Sequence, residues 1–72
     1  MRWLEKLERS SIVAHLTTGA SIRGVLVAVH RDCIVLDHAA WLGSEGAELI
    51  DGEAIIPRER LAWMQNVTGG SE

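Results

Sequence analysis

The residues of this chain that can bind metals or act as nucleophiles are too scattered to form a chemical site. The candidates are His15, His30, His38 and Cys33, and a metal site needs such ligands at short, characteristic spacings. His30 and Cys33 flank a predicted turn, whereas His15 lies on another predicted strand, so no pair has ligand spacing. We therefore predict no metal site and no cofactor. Cys33 begins an apolar run and is expected to be a small buried hydrophobe, not a nucleophile.

The sequence also offers no catalytic constellation. No nucleophile–base pair, phosphate-binding loop or pair of carboxylates can be assembled from it, so we predict that the protein is not an enzyme. A single cysteine excludes an internal disulfide. The first residues alternate charged and apolar types and lack the apolar stretch of a signal peptide. We therefore predict synthesis in the reducing cytoplasm.

Two arginines near the end of the chain are the best candidates for holding an anion. Arg58 and Arg60 follow Pro57 and flank Glu59. Guanidinium groups bind phosphate or carboxylate through paired hydrogen bonds. The same pattern also fits a solvent-exposed turn in which the arginines pair with Glu59, and the sequence leaves both interpretations open.

The three tryptophans are the only members of the Phe, Tyr and Trp set in the chain. Exposed tryptophans can stack on nucleic-acid bases, but packing explains these positions better. Trp3 is expected to attach an N-terminal helix to the rest of the domain, and Trp63 alternates with Leu61 as a core or interface residue. Trp41 adjoins an acidic loop, so we expect it to be exposed or to contact a partner.

Charge is divided unevenly along the chain. The net charge is −3. Residues 1–31 carry five basic and two acidic side chains, whereas residues 32–72 carry two basic and eight acidic ones. This balance is unlike that of a dedicated nucleic-acid-binding domain.

The acidic segment after Trp41 is a second candidate site. It contains Glu45, Glu48 and Asp51, with Trp41 and Leu42 as the adjoining apolar residues. Such a segment is either a solvated loop or a docking surface for a basic partner, because opposite potentials steer and orient a partner's approach.

The length of the chain allows one domain with one small core. Apolar residues make up 47% of its 72 residues, yet a domain of this size buries only about 60% of the surface of its unfolded chain. Some apolar side chains must then face solvent or another subunit. We therefore predict that the protein is an oligomer.

The elements that would position these residues are one short helix and five strands. Hydrophobic spacing predicts a helix over about residues 2–9. Gly24 falls in the middle of the second strand and predicts a sharp bend, as closure of a small barrel demands. The predicted strands cover residues 10–16, 21–29, 33–41, 53–56 and 61–67.

The predicted connections are short except for one. Residues 42–52 are expected to form a loop or hairpin tip, with Asp51-Gly52 as a candidate tight turn. Residues 57–60 would form a one-turn link, since proline fits the first position of a helix. Residues 68–72 are predicted to be a flexible tail, which leaves a domain over residues 1–67.

This order of elements resembles the Sm/LSm family. The stretch from Leu16 to Leu26, with Gly19 and Gly24, is similar to the family's first motif, and Ile34-Val35-Leu36-Asp37 continues it. The resemblance implies a mainly β fold: a short N-terminal α-helix followed by a five-stranded, strongly bent antiparallel Sm-like (SH3-like) barrel.

The sequence departs from the family at the positions that contact RNA. His30 stands where the first motif usually has an aspartate, and Cys33 stands where it has an RNA-contacting asparagine. The second motif corresponds to Ile55-Ile56-Pro57-Arg58-Glu59-Arg60-Leu61, in which a proline displaces the arginine. These departures disfavour the RNA site that the resemblance would otherwise imply.

The resemblance further implies a homo-oligomeric ring. Strands four and five would be open edges in a monomer, so we predict that they pair between neighbours and close a ring of five to seven subunits. Arg58 and Arg60 would then lie near the pore. The predicted interface comprises Ile55, Ile56, Leu61, Trp63 and Met64.

A narrower resemblance concerns four short patterns. Gly-Val-Leu, His-Arg-Asp-Cys, Ile-Pro-Arg-Glu-Arg and Ala-Trp-Met-Gln are similar to small Sm-like proteins that actinobacterial phages encode beside their virion genes. This implies a virion-associated capsid or head accessory component. We therefore expect a structural or docking module that binds itself and another virion protein, with no membrane partner. The alternative is an RNA-binding Sm-like chaperone.

Overall fold

The computed structural model describes residues 9–67, which form six β-strands and one turn of 3₁₀-helix. No helix within these residues is long and apolar enough to cross a membrane. The elements in chain order are β1 Ser11–Leu16, β2 Ser21–Val29, β3 Cys33–Gly43, β4 Gly46–Leu49, β5 Ala54–Pro57, the 3₁₀ turn Arg58–Arg60 and β6 Leu61–Asn66.

Two predicted terminal segments fall largely outside this range. The helix expected over residues 2–9 lies outside the described residues except for Arg9, and the tail expected over residues 68–72 lies wholly outside them. Arg9 itself has a φ of 73°. That value belongs to the left-handed region and not to an α-helix.

All strands belong to one antiparallel sheet in the order β4-β3-β2-β1-β6, with β5 paired to β3. The long strand β3 makes this arrangement possible. Its first residues pair with β5, its last residues pair with β4, and β2 lies along its other edge. Strands β4 and β5 therefore lie one after the other along β3 at one end of the sheet, and β6 lies at the other end.

The prediction of five strands was wrong, because residues 42–52 contain a further hairpin. Strand β3 continues to Gly43, turns over two residues, and returns as β4, with Gly46 at a φ of 115°. Every residue of β4 is exposed, so the strand has no buried face and no apolar alternation to reveal it. Asp51-Gly52 forms a bend before β5 instead of the hairpin turn.

The core lies on one face of this curved sheet. Alternate residues of the strands point into it, as the two-residue period of a β-strand requires. Burial of a large aliphatic side chain stabilises a fold by about 1.5–3 kcal/mol. The core side chains are those of Ile12, Ala14, Ile22, Leu26, Ile34, Leu36, Ala39, Ala54 and Ile56.

Gly24 lies where β2 and β3 approach most closely. The register shifts there, so that His38 and Ala39 of β3 stand opposite the single residue Gly24, and His38 takes a φ of 51°. A Cβ on Gly24 would lie 3.0 Å from the carbonyl oxygen of Asp37 and 3.1 Å from the Cβ of Leu36. Such a bulge bends the strand and increases its twist.

We expect Gly24→Ala to lower the free energy of unfolding by about 1–3 kcal/mol, because the added methyl group must displace backbone atoms of β3. Gly43→Ala is the matched control: its Cβ would lie 3.6 Å from the carbonyl oxygen of Gly46, an ordinary contact. The control should change stability by less than about 0.5 kcal/mol. Urea unfolding at one fixed protein concentration measures both, and equal midpoints would contradict the close approach at Gly24.

Candidate functional site

The sheet ends in open strands, with β4 and β5 at one end and β6 at the other, and these are the first candidate functional feature. Within the described residues β5 pairs only with β3, and β6 pairs only with β1. The outer edge of each strand therefore presents backbone groups without a ladder partner in the sheet. Open edges of this kind are templates for pairing with another chain.

The five predicted interface residues divide between the two faces of these strands. Ile56 is only 3% exposed and belongs to the core, and Leu61 and Met64 pack against the core. Ile55 and Trp63, by contrast, are 64% and 57% exposed. Only these last two side chains are available to a neighbour on the face turned away from the core, which we call the outer face.

The structure brings the β2–β3 turn and the 3₁₀ turn together at one end of the sheet. The backbone N–H of Arg58 donates to the carbonyl oxygen of Asp32 at 2.8 Å, and the Arg58 guanidinium donates from Nη1 to the carbonyl oxygen of Arg31, also at 2.8 Å. Arg31, Asp32, Arg58 and Glu59 line a shallow cavity there, together with Pro57. The cavity thus combines basic and acidic side chains.

The two candidate anion-binding arginines have separate positions. Arg58 is half-buried and oriented by its bond to the β2–β3 turn, whereas Arg60 is exposed. Arg60 borders a different, mostly apolar groove of about 450 Å³. The structure therefore does not join the two guanidinium groups into one site within a single subunit.

That apolar groove runs from β5 to the end of β3. Trp41, which is 43% exposed, forms one wall. Leu42 follows it directly on β3 and projects from the opposite face, since successive side chains of a strand alternate. The pair predicted as one apolar contact is thus divided between two faces. The other apolar lining residues are Leu16, Ile22, Ile50, Ala54, Ile55, Ile56 and Pro57.

The β3–β4 hairpin carries the acidic side chains predicted to dock a partner. Glu45 lies at its tip, Glu48 lies on β4, and Asp51 follows β4; all three are exposed. Leu49 beside them is 84% exposed. The hairpin therefore presents carboxylates next to exposed apolar surface, at the end of β3 farthest from the β2–β3 turn.

An aromatic cluster on the outer face was not foreseen from the sequence. The rings of His15 and Trp63 stack with centroids 3.9 Å apart and planes 11° from parallel. The Nδ1 of His15 lies 3.0 Å from the Ser21 hydroxyl, and its Nε2 lies 3.4 Å from the Gln65 side-chain oxygen. The pairing of His15 with Trp63 across β1 and β6 sets this stack, and no local motif encodes it.

Contrary to the sequence prediction, a histidine and a potential nucleophile do lie together in this cluster. A serine hydroxyl bonded to an imidazole is the first half of an activated nucleophile. Here, however, the second ring nitrogen faces the neutral amide of Gln65 and no carboxylate. Neither Ser21 nor His15 lines the cavities described above. Within residues 9–67 no group of three or more metal-binding side chains is clustered.

A strongly bent antiparallel sheet with a bulge opposite Gly24 of its second strand and open strands at both ends defines the class of this fold, the Sm-like fold. The sequence matches no protein-family model and no curated protein. The fold is shared with solved structures. One is a heptameric archaeal Sm protein, with a TM-score of 0.82 and 16% identity over 93% of this chain and 98% of that chain.

Two further structures show the same likeness. The SmAP1 heptamer of P. aerophilum has a TM-score of 0.82 and 16% identity, over 92% of this chain and 89% of that one. A chain in the crystal structure of the NatC complex bound to CoA has a TM-score of 0.79 and 21% identity, over 92% of this chain and 86% of that one. The predicted Sm-like fold is thereby confirmed.

Proposed function

We propose that this chain is a non-enzymatic structural module of the Sm-like family that closes into a homo-oligomeric ring. The observation that carries the proposal is that β5 and β6, which lie at opposite ends of the sheet, each have an open edge. Joining β5 of one subunit to β6 of the next satisfies both edges and repeats by rotation, which gives a closed ring when the rotation divides a full turn. Such pairing also supplies the buried surface that a domain this small lacks on its own.

The likeness to Sm structures supports this proposal. Two of the proteins with the same fold are heptamers, and a third structure with the fold belongs to a complex. The exposed Ile55 and Trp63 lie on the strands that would meet. A ring of five to seven subunits would give both side chains an apolar neighbour.

Docking of other proteins is the proposed role of the ring. The acidic hairpin supports it, because carboxylates beside exposed leucines fit a basic partner that also carries apolar side chains. The phage virion as the setting for this docking rests on the resemblance of the short sequence patterns to phage proteins.

We expect native mass spectrometry of the purified chain to show one closed species of five to seven subunits. Edge pairing around a ring saturates at a fixed number, whereas pairing that does not close would give a ladder of sizes. Sedimentation velocity over a range of concentrations is the control, because it shows whether the same species exists in solution and did not form in the gas phase. A monodisperse monomer at high micromolar concentration would refute the ring.

We expect charge reversal of the hairpin to abolish docking and leave the ring intact. The variant carries Glu45→Lys, Glu48→Lys and Asp51→Lys, and the probe is a fluorescent peptide of alternating lysine and leucine, followed by anisotropy at low and high salt. Wild-type binding should weaken as salt rises, because exposed charges are screened. Asp32→Lys with Glu59→Lys is the control, since these acids lie at the other end of the sheet, and it should retain binding. Undiminished binding by the hairpin variant would contradict the docking role.

An RNA-binding chaperone is the alternative function, and one observation favours it. In a ring, the cavity between the β2–β3 turn and the 3₁₀ turn would be repeated around the pore and would present Arg31 and Arg58 once in each subunit. Asp32 and Glu59 in the same cavity oppose it, because each carboxylate offsets the attraction of an arginine for phosphate.

Filter binding with U-rich and A-rich RNA at low salt distinguishes the two functions. The docking proposal predicts no saturable binding, because the net charge of −3 per subunit repels the phosphate backbone. Saturable binding that Arg58→Gln removes and Arg23→Gln retains would establish the chaperone function instead. Arg23 is a suitable control because it lies on β2 and does not line the cavity between the two turns.

A further inference from the structure

One large apolar side chain stands exposed on the outer face at each open end of the sheet. On β5, Ala54 and Ile56 point into the core, so Ile55 projects from the outer face. On β6, Trp63 pairs with His15 of β1, whose neighbours along the strand face the core, and so Trp63 also projects from the outer face. The outer faces of β5 and β6 become continuous wherever these strands pair between subunits.

Trp63 is held in place before any neighbour arrives. Its indole lies flat on the His15 ring, and both nitrogens of that ring lie near polar partners, Ser21 on β2 and Gln65 on β6. A side chain that is already ordered loses less conformational entropy on binding. Exposed tryptophans with such support are frequent anchors of protein interfaces.

The backbone edge of β5 offers few hydrogen bonds by itself. Alternate residues of an antiparallel strand direct their N–H and C=O groups to opposite sides, so about two of the four residues of β5 face its open edge. Pro57 has no N–H to donate. Assembly through this edge therefore depends on side-chain contacts beside the strands.

We call the pairing of β5 of one subunit with β6 of the next the joint. The geometry of paired strands restricts which side chains can meet across it. Two antiparallel registers place all four residues of β5 opposite β6 and keep Ile55 on the same outer face as Trp63. In one, Ile55 lies opposite Trp63. In the other, Ile55 lies opposite Gln65 and Trp63 lies opposite Pro57, so the indole is diagonal to Ile55. Opposite and diagonal neighbours are both within reach of an aromatic side chain.

We propose that Trp63, supported by its stack on His15, anchors each joint of the ring by packing against Ile55 of the next copy of this chain. The inference rests on the proposed ring and names the contact that holds it. Trp63 is the anchor, Ile55 is its receiving surface, and His15 is a positioning residue that acts through the indole. The ring thus depends on one aromatic–aliphatic pair per joint, repeated by symmetry.

A charge-swap series tests the pair by sedimentation equilibrium and native mass spectrometry. Ile55→Asp and Trp63→Lys should each raise the dissociation constant of the joint at least about tenfold, as loss of an interface anchor does. Because every joint of the double variant would hold an Asp opposite or diagonal to a Lys, the double variant should recover a ring at concentrations where both single variants are dissociated. Leu49→Asp is the matched control: it places the same charge on an exposed leucine of β4 and should assemble like the wild type.

The possible outcomes distinguish a failure of the proposed Trp63–Ile55 contact from a failure of the proposed ring. A wild-type monomer would refute the proposed function. A wild-type ring that both single variants retain with unchanged dissociation constants would refute the contact and leave the ring standing. Circular dichroism shows whether each single variant is folded; for a variant that is not, Ile55→Thr and Trp63→Gln replace the charged changes and should give the same order of effects.

Two substitutions test whether His15 positions Trp63 through its flat ring or through the hydrogen bonds of that ring. His15→Ala removes the surface on which the indole lies and should weaken assembly about three- to tenfold, because Trp63 must then be ordered at the moment of binding. His15→Phe restores a flat ring and should recover most of that loss. If both variants assemble like the wild type while Trp63→Lys does not, His15 has no positioning role and the anchor stands alone.

Discussion

Everything in this structure depends on a sheet that its own chain does not close. The strands curve around nine core residues, yet β5 and β6 at the ends of the wall pair with only one neighbour each within the described residues. A small chain has few ways to supply the missing partner. It has one cysteine, so no disulfide can join the ends, and residues 9–67 contain no cluster of metal ligands. A second copy of the same chain is the simplest remaining source of a strand.

One of the irregularities that bend the sheet lies at Gly24. At Gly24 two residues of β3 stand opposite one residue of β2, and a Cβ there would lie only 3.0 Å from a backbone oxygen of β3. The bulge turns the second half of each strand towards a new direction. It lies between the first residues of β3, which pair with β5, and the last residues of β3, which pair with β4. A flat sheet of these strands would place the same edges in one plane, where their pairing could not close a ring.

Charge distinguishes the two ends of the molecule. The hairpin of β3 and β4 carries carboxylates without cations, whereas the 3₁₀ turn alternates both signs within a few residues. An acidic surface repeated by symmetry steers a basic partner towards one orientation. A mixed surface gives no such field, because opposite charges at close spacing cancel beyond a Debye length. The hairpin is therefore the better candidate for docking and the turns for packing between subunits.

The sequence by itself determined the class of the fold and most of its strands. In β1, β2 and β5 the core residues lie two or four positions apart, as one buried strand face requires, and the lone glycine inside β2 marked the bend. The 3₁₀ turn was also predictable, since proline presets the backbone angle of its start. Strand β4 was not, because a fully exposed strand leaves no hydrophobic pattern.

Only the tertiary structure decided which side chains meet. Ile55 and Ile56 are chemically alike, yet one is exposed and the other is in the core, because adjacent residues of a strand face opposite sides. Trp41 and Leu42 were separated for the same reason. His15 and Trp63 are far apart in sequence, and only the register of β1 against β6 stacks their rings. Composition and spacing indicate which side chains tend to be buried. The pairing of distant strands determines which residues each side chain contacts.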